Sequence, residues 1–300
     1  MDSGQAVGIV GIGAMGGAMA RRLVRVGWPP RVCDIDPAAV AAAQALGLEA
    51  CATPAALAAC CEVVLVVVVD APQIEVVLFG ADGVVQAPPL AAGQRRTVVL
   101  CSTISPDDTE AFAARLAAQG IDTIDAPISG GPARAESGEM SMMVAAAPAV
   151  QARCARLLGT LAAALHPVGE RIGDGARVKL VNNLLAGVNL AAAAEAMALG
   201  ARMGLDPRRL FELVQVSSGA SWILSDRMPR ALAGDLAPRA RTTLLAKDLG
   251  LAVRMAEAAG ADTPLGRDAL ARFRAAVANG RADLDDASLF DLGPSPADGH

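Results

Sequence analysis

The sequence predicts an α/β protein in which a doubly wound parallel sheet is followed by an all-α domain. In residues 1–173, short apolar strands alternate with helical segments, which is typical of a parallel sheet covered by helices on both faces. From residue 174 onward no strand-like segment follows, and long alanine-rich helical stretches take over. We therefore expect a first domain at 1–173, a helical domain at 174–292 and a mobile tail at 293–300.

Alternating strands and helices define the first domain. Strands are expected at residues 6–11, 31–34, 63–69, 98–101, 121–125, 140–145 and 164–168, and helices at 15–26, 37–46, 72–79 and 106–119. The run at 63–69 is almost pure valine, as expected for a strand buried on both faces at the centre of a sheet. Pro37 supports the second helix, because its fixed φ suits the first turn.

The second domain begins with a helix of unusual length, expected at 175–203, which joins the two domains. It is apolar nearly all round, which predicts that it is buried between domains or subunits. Shorter helices are expected at 207–216, 220–233, 242–259 and 264–279. No run reaches the ~18 uncharged apolar residues that a membrane span requires. The closest candidate, 180–194, is interrupted by three asparagines, so no membrane partner is expected.

Composition excludes several classes of function. The net charge of −5 and the aromatic content of 2% argue against a nucleic-acid partner, which requires clustered cations and aromatic platforms. The six cysteines show no metal-ligand spacing, so neither a metal site nor a disulfide framework is expected. The first strand begins within a few residues of Met1, which leaves no room for a signal peptide and predicts a cytoplasmic protein.

The rarest side chains restrict the catalytic chemistry. Tyr is absent and His occurs only twice, as His166 and His300. The chain therefore lacks the side chains for a Tyr proton relay and has very few for a His relay or a zinc site. Among the 26 basic residues the only lysines are Lys179 and Lys247. Because Lys can release its proton at accessible pH and Arg cannot, these two residues are candidates for chemistry.

A glycine-rich turn follows the first strand and opens the first helix. Its residues are Gly11, Ile12, Gly13, Ala14, Met15 and Gly16. This is the G-x-G-x-x-G fingerprint of the Rossmann fold, in which the glycines permit a tight turn, close approach of a pyrophosphate and close helix–strand packing. Asp34 ends the second strand, where a carboxylate binds the ribose hydroxyls of NAD and repels the extra phosphate of NADP. The sequence therefore predicts NAD as the cofactor.

Lys179 and Asn183 lie near the start of the long helix, four residues apart, so their side chains share one face. A partly desolvated Lys near a helix N-terminus has its charged form disfavoured and can exchange a proton with a substrate hydroxyl. Asn183 can hold that oxygen or the Lys in place. The alternative is a surface Lys beside helix-capping asparagines.

A second candidate segment follows the strand that ends at Asp125. Ser129, Gly130 and Gly131 lie at the sheet edge where α/β proteins bind ligands, and they expose backbone N–H groups suited to a carboxylate. The alternative is a structural turn rich in Gly and Pro.

Taken in order, these motifs resemble the β-hydroxyacid dehydrogenase family. The matching segments are residues 11–16, 102–103, 125–131, 179–183 and 246–251. The resemblance covers nearly the whole chain and implies a Rossmann domain plus a helical domain, oxidation of a small β-hydroxy acid, and Lys179 as the catalytic residue. It further implies that Ser129, Gly130, Gly131 and Asn183 bind substrate, that Val68, Val69, Thr103 and Lys247 contact the cofactor, and that the chain forms a homodimer or homotetramer.

The region 217–239 resembles the L-threonate branch of the family most closely, although Ser-Ser-Gly followed by Trp222 also resembles 3-hydroxyisobutyrate enzymes. Trp222 is expected either to line the substrate pocket or to lie in the core. After the valine strand the sequence reads Val69-Asp70-Ala71, where many relatives place Pro before a small polar residue.

Two other functions remain open from the sequence. An imine reductase of the same fold usually has Asp or Tyr where Lys179 stands. A catalytically silent NAD sensor or scaffold would bind NAD and turn over no hydroxy acid.

Overall fold

The structure, a computed structural model, describes residues 5–91 and 93–290, so the tail expected at 293–300 lies outside the described residues. The chain divides into two units, Met1–Lys179 and Leu180–His300. The first is an α/β unit and the second is helical. This arrangement confirms the predicted fold class.

The first unit is built on an eight-stranded sheet. Its strands are β1 (Val7–Val10), β2 (Arg31–Cys33), β3 (Val63–Val66), β4 (Thr97–Leu100), β5 (Asp122–Asp125), β6 (Ile128–Ser129), β7 (Met140–Ala145) and β8 (Ala162–Gly169). They lie in the order β2-β1-β3-β4-β5-β7-β6, with β8 paired to β7.

The sheet is parallel from β2 to β5, but β7 runs antiparallel to β5 and to β6. The predicted doubly wound parallel sheet therefore has a mixed, partly antiparallel edge here. Only residues 130–139 separate β6 from β7, and a parallel crossover needs a dozen or more residues. The chain reverses direction instead. β8 then pairs parallel to β7 after a longer helical connection.

Seven complete α-helices and the start of an eighth, α8 (Asp174–Arg202), accompany the strands in the described part of this unit. The seven complete helices are α1 (Ala14–Arg25), α2 (Pro37–Ala45), α3 (Pro54–Ala59), α4 (Ala71–Phe79), α5 (Pro106–Ala118), α6 (Gly131–Ser137) and α7 (Pro148–Leu161). Helices α3, α6 and α7 were not expected from the sequence. For α7 a signal existed, because its buried residues Cys154, Leu157, Leu158 and Leu161 recur at helical spacing.

The core of the first unit lies on both faces of the sheet. All four residues of β3 are buried. Val63 and Leu65 join one apolar cluster, whereas Val64 and Val66 join the other. Because successive side chains of a strand point to opposite faces, this division confirms a central strand covered on both sides.

The second unit consists of helices in its described residues. They are the remainder of α8 (Asp174–Arg202), α9 (Pro207–Val214), α10 (Trp222–Leu232), α11 (Thr242–Ala258) and α12 (Pro264–Ala276), followed by a 3₁₀ turn at Asp286–Leu289. Their core contains the fully buried Leu190, Leu249 and Phe273. Trp222 is 58% exposed and is therefore not a core residue.

Helix α8 is long and apolar enough to cross a membrane, the one such helix among the described residues. This is weak support for a span, because core helices of globular proteins pass the same test of length and composition. Asn182, Asn183 and Asn189 interrupt the most apolar stretch of α8, and polar side chains of this kind are costly in hydrocarbon.

Candidate active site

The strand order reverses at β1, which has β2 on one side and β3 on the other. Loops that leave the carboxyl ends of β1 and β3 therefore diverge there, and open α/β sheets bind ligands at this point. Gly11 has φ +87, and a Cβ at Gly11 would lie 2.6 Å from the carbonyl oxygen of Val67. Only glycine permits this turn and this close approach of the two loops.

The other two glycines of the motif have different surroundings. A Cβ at Gly16 would lie 1.9 Å from the carbonyl oxygen of Gly11, so helix α1 packs too closely on β1 for any side chain there. A Cβ at Gly13 would meet nothing within 4 Å. Gly16 is thus required by the fold itself. Gly13 leaves open space in front of the helix, as needed for a ligand that approaches the backbone.

The N-terminus of α1 suits an anion. Gly13 precedes the helix, no side chain caps it, and its first turn contains no acidic residue. The Asp34 carboxylate lies beside this turn, since its Oδ2 accepts the backbone N–H of Ile12 at 2.6 Å and its Oδ1 accepts that of Asp36 at 2.9 Å. Free helix N–H groups next to a carboxylate fit the pyrophosphate and ribose of a dinucleotide.

The loop after β3 begins earlier than expected, because the strand ends at Val66. Val68 and Val69 lie in the loop, and the backbone N–H of Val69 donates to Gln73 Oε1 at 2.9 Å. Asp70 caps helix α4 by accepting the backbone N–H of Gln73 at 3.0 Å.

Ser102 and Thr103 follow β4 at the same edge of the sheet. Ser102 is 8% exposed, and its Oγ is buried without a hydrogen-bond partner among the described residues. A buried hydroxyl left unpaired is costly, so such groups in native sites are often satisfied by a ligand. From the sequence, Thr103 is expected to contact the cofactor, whereas Ser102 has no predicted role.

Ser129 ends β6, and Gly130 and Gly131 form the turn into α6. Gly130 has φ +125 and Gly131 has φ +75, conformations that favour glycine. The turn leaves the same sheet edge as the loops above, because β5 and β6 are both antiparallel to β7 and therefore run in the same direction. The three residues lie together where the sequence predicted them.

Asp125 ends β5 and is 2% exposed. Its Oδ2 accepts the backbone N–H of Gly173 at 2.9 Å and of Ala176 at 3.1 Å. Burial raises the pKa of Asp125 to about 6, although the backbone N–H groups of Ala176, Gly173 and Gly175 lower it in part.

Lys179 and Asn183 lie one turn apart on α8, and each is only 7% exposed. This placement contradicts the alternative of a surface Lys beside capping asparagines.

Asn183 is held by a residue that sequence reasoning missed. Its Nδ2 donates to Asp248 Oδ2 at 2.7 Å, and the Nδ2 of Asn182 donates to its Oδ1 at 3.1 Å. Asp248 also forms an ion pair with Lys247, with 2.8 Å between Nζ and Oδ1. Asp248 follows Lys247 in the segment 246–251 and is 8% exposed, so its carboxylate is buried together with the amide that it accepts from Asn183.

Residues 6–169 match a family model described as the NAD binding domain of 6-phosphogluconate dehydrogenase. Residues 173–292 match a second model, described as NAD-binding of NADP-dependent 3-hydroxyisobutyrate dehydrogenase. The chain belongs to the β-hydroxyacid dehydrogenase family. The family resemblance expected from the ordered motifs is thereby confirmed, and so is a nicotinamide cofactor.

Two relatives and one solved structure illustrate how closely the family matches. L-threonate dehydrogenase from Cupriavidus necator is 39% identical over 96% of each chain. 3-Hydroxyisobutyrate dehydrogenase from Pseudomonas aeruginosa is 36% identical over 89% of each chain. The crystal structure of 3-hydroxyisobutyrate dehydrogenase from Salmonella typhimurium superimposes with a TM-score of 0.87 at 36% identity, covering 96% of this chain and all of the other.

Proposed function

We propose that this chain oxidises the hydroxyl group of a small β-hydroxy carboxylic acid with NAD, using Lys179 as the acid/base. The observation that carries the proposal is the burial of Lys179 on α8, one turn from Asn183. The substrate loses a hydride from its carbinol carbon and a proton from its hydroxyl oxygen, and becomes a carbonyl compound. NAD, when bound, supplies the hydride acceptor.

Lys179 takes the hydroxyl proton in this proposal. A neutral amine is required for that step. In the reverse direction the ammonium returns the proton to the carbonyl oxygen. Asn183 binds the same oxygen through the side-chain amide that Asp248 orients. Ser129, Gly130 and Gly131 bind the carboxylate of the substrate through hydroxyl and backbone N–H groups.

The cofactor site is assigned to the turns and loops at the strand ends, with Lys247 of α11 as a further contact. Its proposed residues are Gly11, Ile12, Gly13, Ala14, Met15, Gly16, Asp34, Val68, Val69, Thr103 and Lys247. The open space at Gly13 and the uncapped start of α1 support the pyrophosphate position. Asp34 favours NAD over NADP, because a second anion beside its carboxylate would be repelled.

The substrate class is tested by a screen of L-threonate, D-glycerate, 3-hydroxyisobutyrate and 3-hydroxypropionate with NAD, read as absorbance of the reduced cofactor. The 39% identity to an L-threonate dehydrogenase supports L-threonate as the first substrate to try. NAD binding without turnover of any acid would favour a silent sensor. Turnover of cyclic imines with reduced cofactor, in place of hydroxy acids, would favour an imine reductase.

A homodimer or homotetramer is part of the proposal. Four large apolar residues form an exposed stripe on α8, with exposures of 40% for Val178, 59% for Val181, 62% for Leu185 and 59% for Leu199. Their spacing places them on one helix face, and such stripes mark subunit contacts. Light scattering of the parent and of Leu185→Glu tests this, and a monomeric parent would contradict it. We also expect a cytoplasmic enzyme with neither nucleic-acid nor membrane partners.

A further inference from the structure

The carboxylate of Asp125 is the most deeply buried acidic group at the carboxyl ends of β1 to β5 among the described residues. It is 2% exposed, and its Oδ2 accepts two backbone N–H groups, from Gly173 at 2.9 Å and from Ala176 at 3.1 Å. Burying a carboxylate is costly unless hydrogen bonds compensate. Both bonds come from the start of α8, so the compensation depends on where that helix begins.

The first turn of α8 is pressed against this carboxylate. A Cβ at Gly175 would lie 2.9 Å from Asp125 Cγ and 2.8 Å from the carbonyl oxygen of Met143. Gly173 has φ +98, which favours glycine. Ala176, which donates one of the two bonds, is 3% exposed. The two glycines let the helix begin directly on the end of the sheet.

This contact connects the two segments that carry the proposed chemistry. Along the chain, Ser129 lies four residues after Asp125. On α8, Lys179 lies three residues after Ala176, a rise of about 4.5 Å on the same face of the helix. One carboxylate therefore joins the strand that leads to the substrate loop with the helical turn that precedes Lys179.

Other contacts at the start of α8 are more exposed. Arg177 pairs with Glu110 at 2.6 Å and with Asp174 at 3.0 Å, and these side chains are 31–37% exposed. Ion pairs that are this exposed to solvent contribute little free energy, so they constrain the position of the helix start only weakly. The buried hydrogen bonds to Asp125 are the contacts able to hold the start of α8 to within about 1 Å, the precision that catalysis requires.

We propose that Asp125 is a positioning residue, whose carboxylate fixes the first turn of α8 against the end of β5 and so sets the place of Lys179 relative to Ser129–Gly131. It acts through Lys179 and has no contact with reacting atoms in this scheme. The inference rests on the proposed role of Lys179 as the acid/base.

Asp125→Ala is the direct test, with Asp206→Ala as its matched control. Asp206 also accepts two backbone N–H groups at the start of a helix, α9, far along the chain from the proposed site. We expect Asp125→Ala to lower kcat about 10²-fold, the effect of a displacement near 1 Å, with KM and the Kd for NAD within about threefold of the parent. Asp206→Ala keeps the parental kcat.

Two further variants separate positioning from folding. Asp125→Asn retains an acceptor oxygen, so it recovers about tenfold of the kcat lost in Asp125→Ala. Gly175→Ala keeps the carboxylate but pushes the helix start away, so it lowers kcat as Asp125→Ala does. In Asp125→Ala and in Gly175→Ala, the midpoint of the pH dependence of kcat shifts by roughly half a pH unit or more, because that midpoint reports Lys179. Parental kcat and an unshifted pH profile in correctly folded Asp125→Ala would overturn the proposal.

Hydrogen exchange provides a readout that does not depend on activity. The amides of residues 173–179 exchange at least about tenfold faster in Asp125→Ala than in the parent. Their exchange rates in Asp206→Ala equal those of the parent. If the parent oxidises no hydroxy acid, the proposed function fails while this measurement still decides whether Asp125 anchors the helix. If the parent is active and exchange at 173–179 is the same in Asp125→Ala, the positioning role fails alone.

Discussion

The side-chain amide of Asn183 donates to Asp248 Oδ2 over 2.7 Å, and both residues are more than nine-tenths buried. The bond connects α8 with α11 and fixes which way the amide points. Asn183 is thereby oriented before any substrate binds, and a preorganised polar group loses little entropy on binding.

Asp248→Ala is expected to raise the KM for the hydroxy acid about tenfold, because Asn183 loses the acceptor that orients it. The free energy of unfolding falls by about 1–3 kcal/mol, since a buried donor is left unpaired. Steady-state kinetics and urea unfolding measure the two effects. Asp262→Ala, which removes only an exposed ion pair with Arg267, is the control. Equal KM values for Asp248→Ala and the parent would rule out an orienting role for Asp248.

Lys179→Ala is expected to lower kcat at least about 10²–10⁴-fold, the contribution typical of general acid/base catalysis. NAD affinity stays near the parental value, because the chemistry and the glycine turn belong to different segments. Stopped-assay kinetics and fluorescence titration with NAD check both. Arg202→Ala, which removes another cation of the same helix, keeps the parental rate. A fully active Lys179→Ala variant would disprove the proposed mechanism.

Asp34→Ala combined with Ile35→Arg is expected to shift cofactor preference toward NADP. The carboxylate that repels the extra phosphate is removed, and Ile35, which is 98% exposed, has room for a guanidinium. The ratio of kcat/KM for NAD to that for NADP is the measurement. Ile35→Arg alone, which retains the carboxylate, shifts the ratio less. An unchanged ratio in the double variant would exclude the ribose role of Asp34.

Gly13→Ala and Gly16→Ala are expected to fail in different ways. A methyl group at Gly13 meets no protein atom, so the variant folds with an unfolding free energy within about 1 kcal/mol of the parent, while its Kd for NAD rises at least about tenfold. At Gly16 the methyl group overlaps the Gly11 carbonyl oxygen, which destabilises the fold by about 1–3 kcal/mol or more. Thermal melting and NAD titration distinguish them, and a stable Gly16→Ala protein would contradict the packing argument.

Asp125 makes stability depend on pH in an unusual direction. Burial raises its pKa from 3.8 to about 6, so the protonated carboxyl favours the folded state. The stabilisation is present below pH ~4 and is lost as pH rises through ~6, by about 3 kcal/mol. The nearby charge of Asp174 raises the pKa of Asp125 further. The neighbouring Cys101 thiol stays neutral, because burial raises its pKa to about 12.

The measurement is the difference in unfolding free energy between the parent and Asp125→Asn across pH 4–7. The parent loses stability relative to the variant as pH rises. Asp206 gives the opposite sign, because the backbone N–H of Arg209 lowers its pKa and its stabilisation is lost as pH falls. A difference for Asp125→Asn that stays flat over this range would show that the carboxyl titrates normally in the folded protein.

The sequence was sufficient where one local pattern dictated one structure. The valine run of β3, the glycine turn before α1 and the uniform helicity after β8 each have a single stable conformation, so the fold class and the dinucleotide motif could be predicted. Short helices such as α3 and α6 could not, because six or seven residues carry too little periodicity to distinguish a helix from a turn.

By itself, then, the sequence determined the fold class, the family and the candidacy of Lys179, because rare residue types and motif order are properties of the chain. Tertiary structure alone decided that β7 reverses direction and that Lys179 and Asn183 are buried. It also decided that Asp125 accepts the backbone N–H of Ala176 and that Asp248 accepts the side-chain amide of Asn183. The partners of those two carboxylates lie 51 and 65 residues away along the chain. Contacts at such separations arise only when packing brings distant segments together, and no local pattern encodes them.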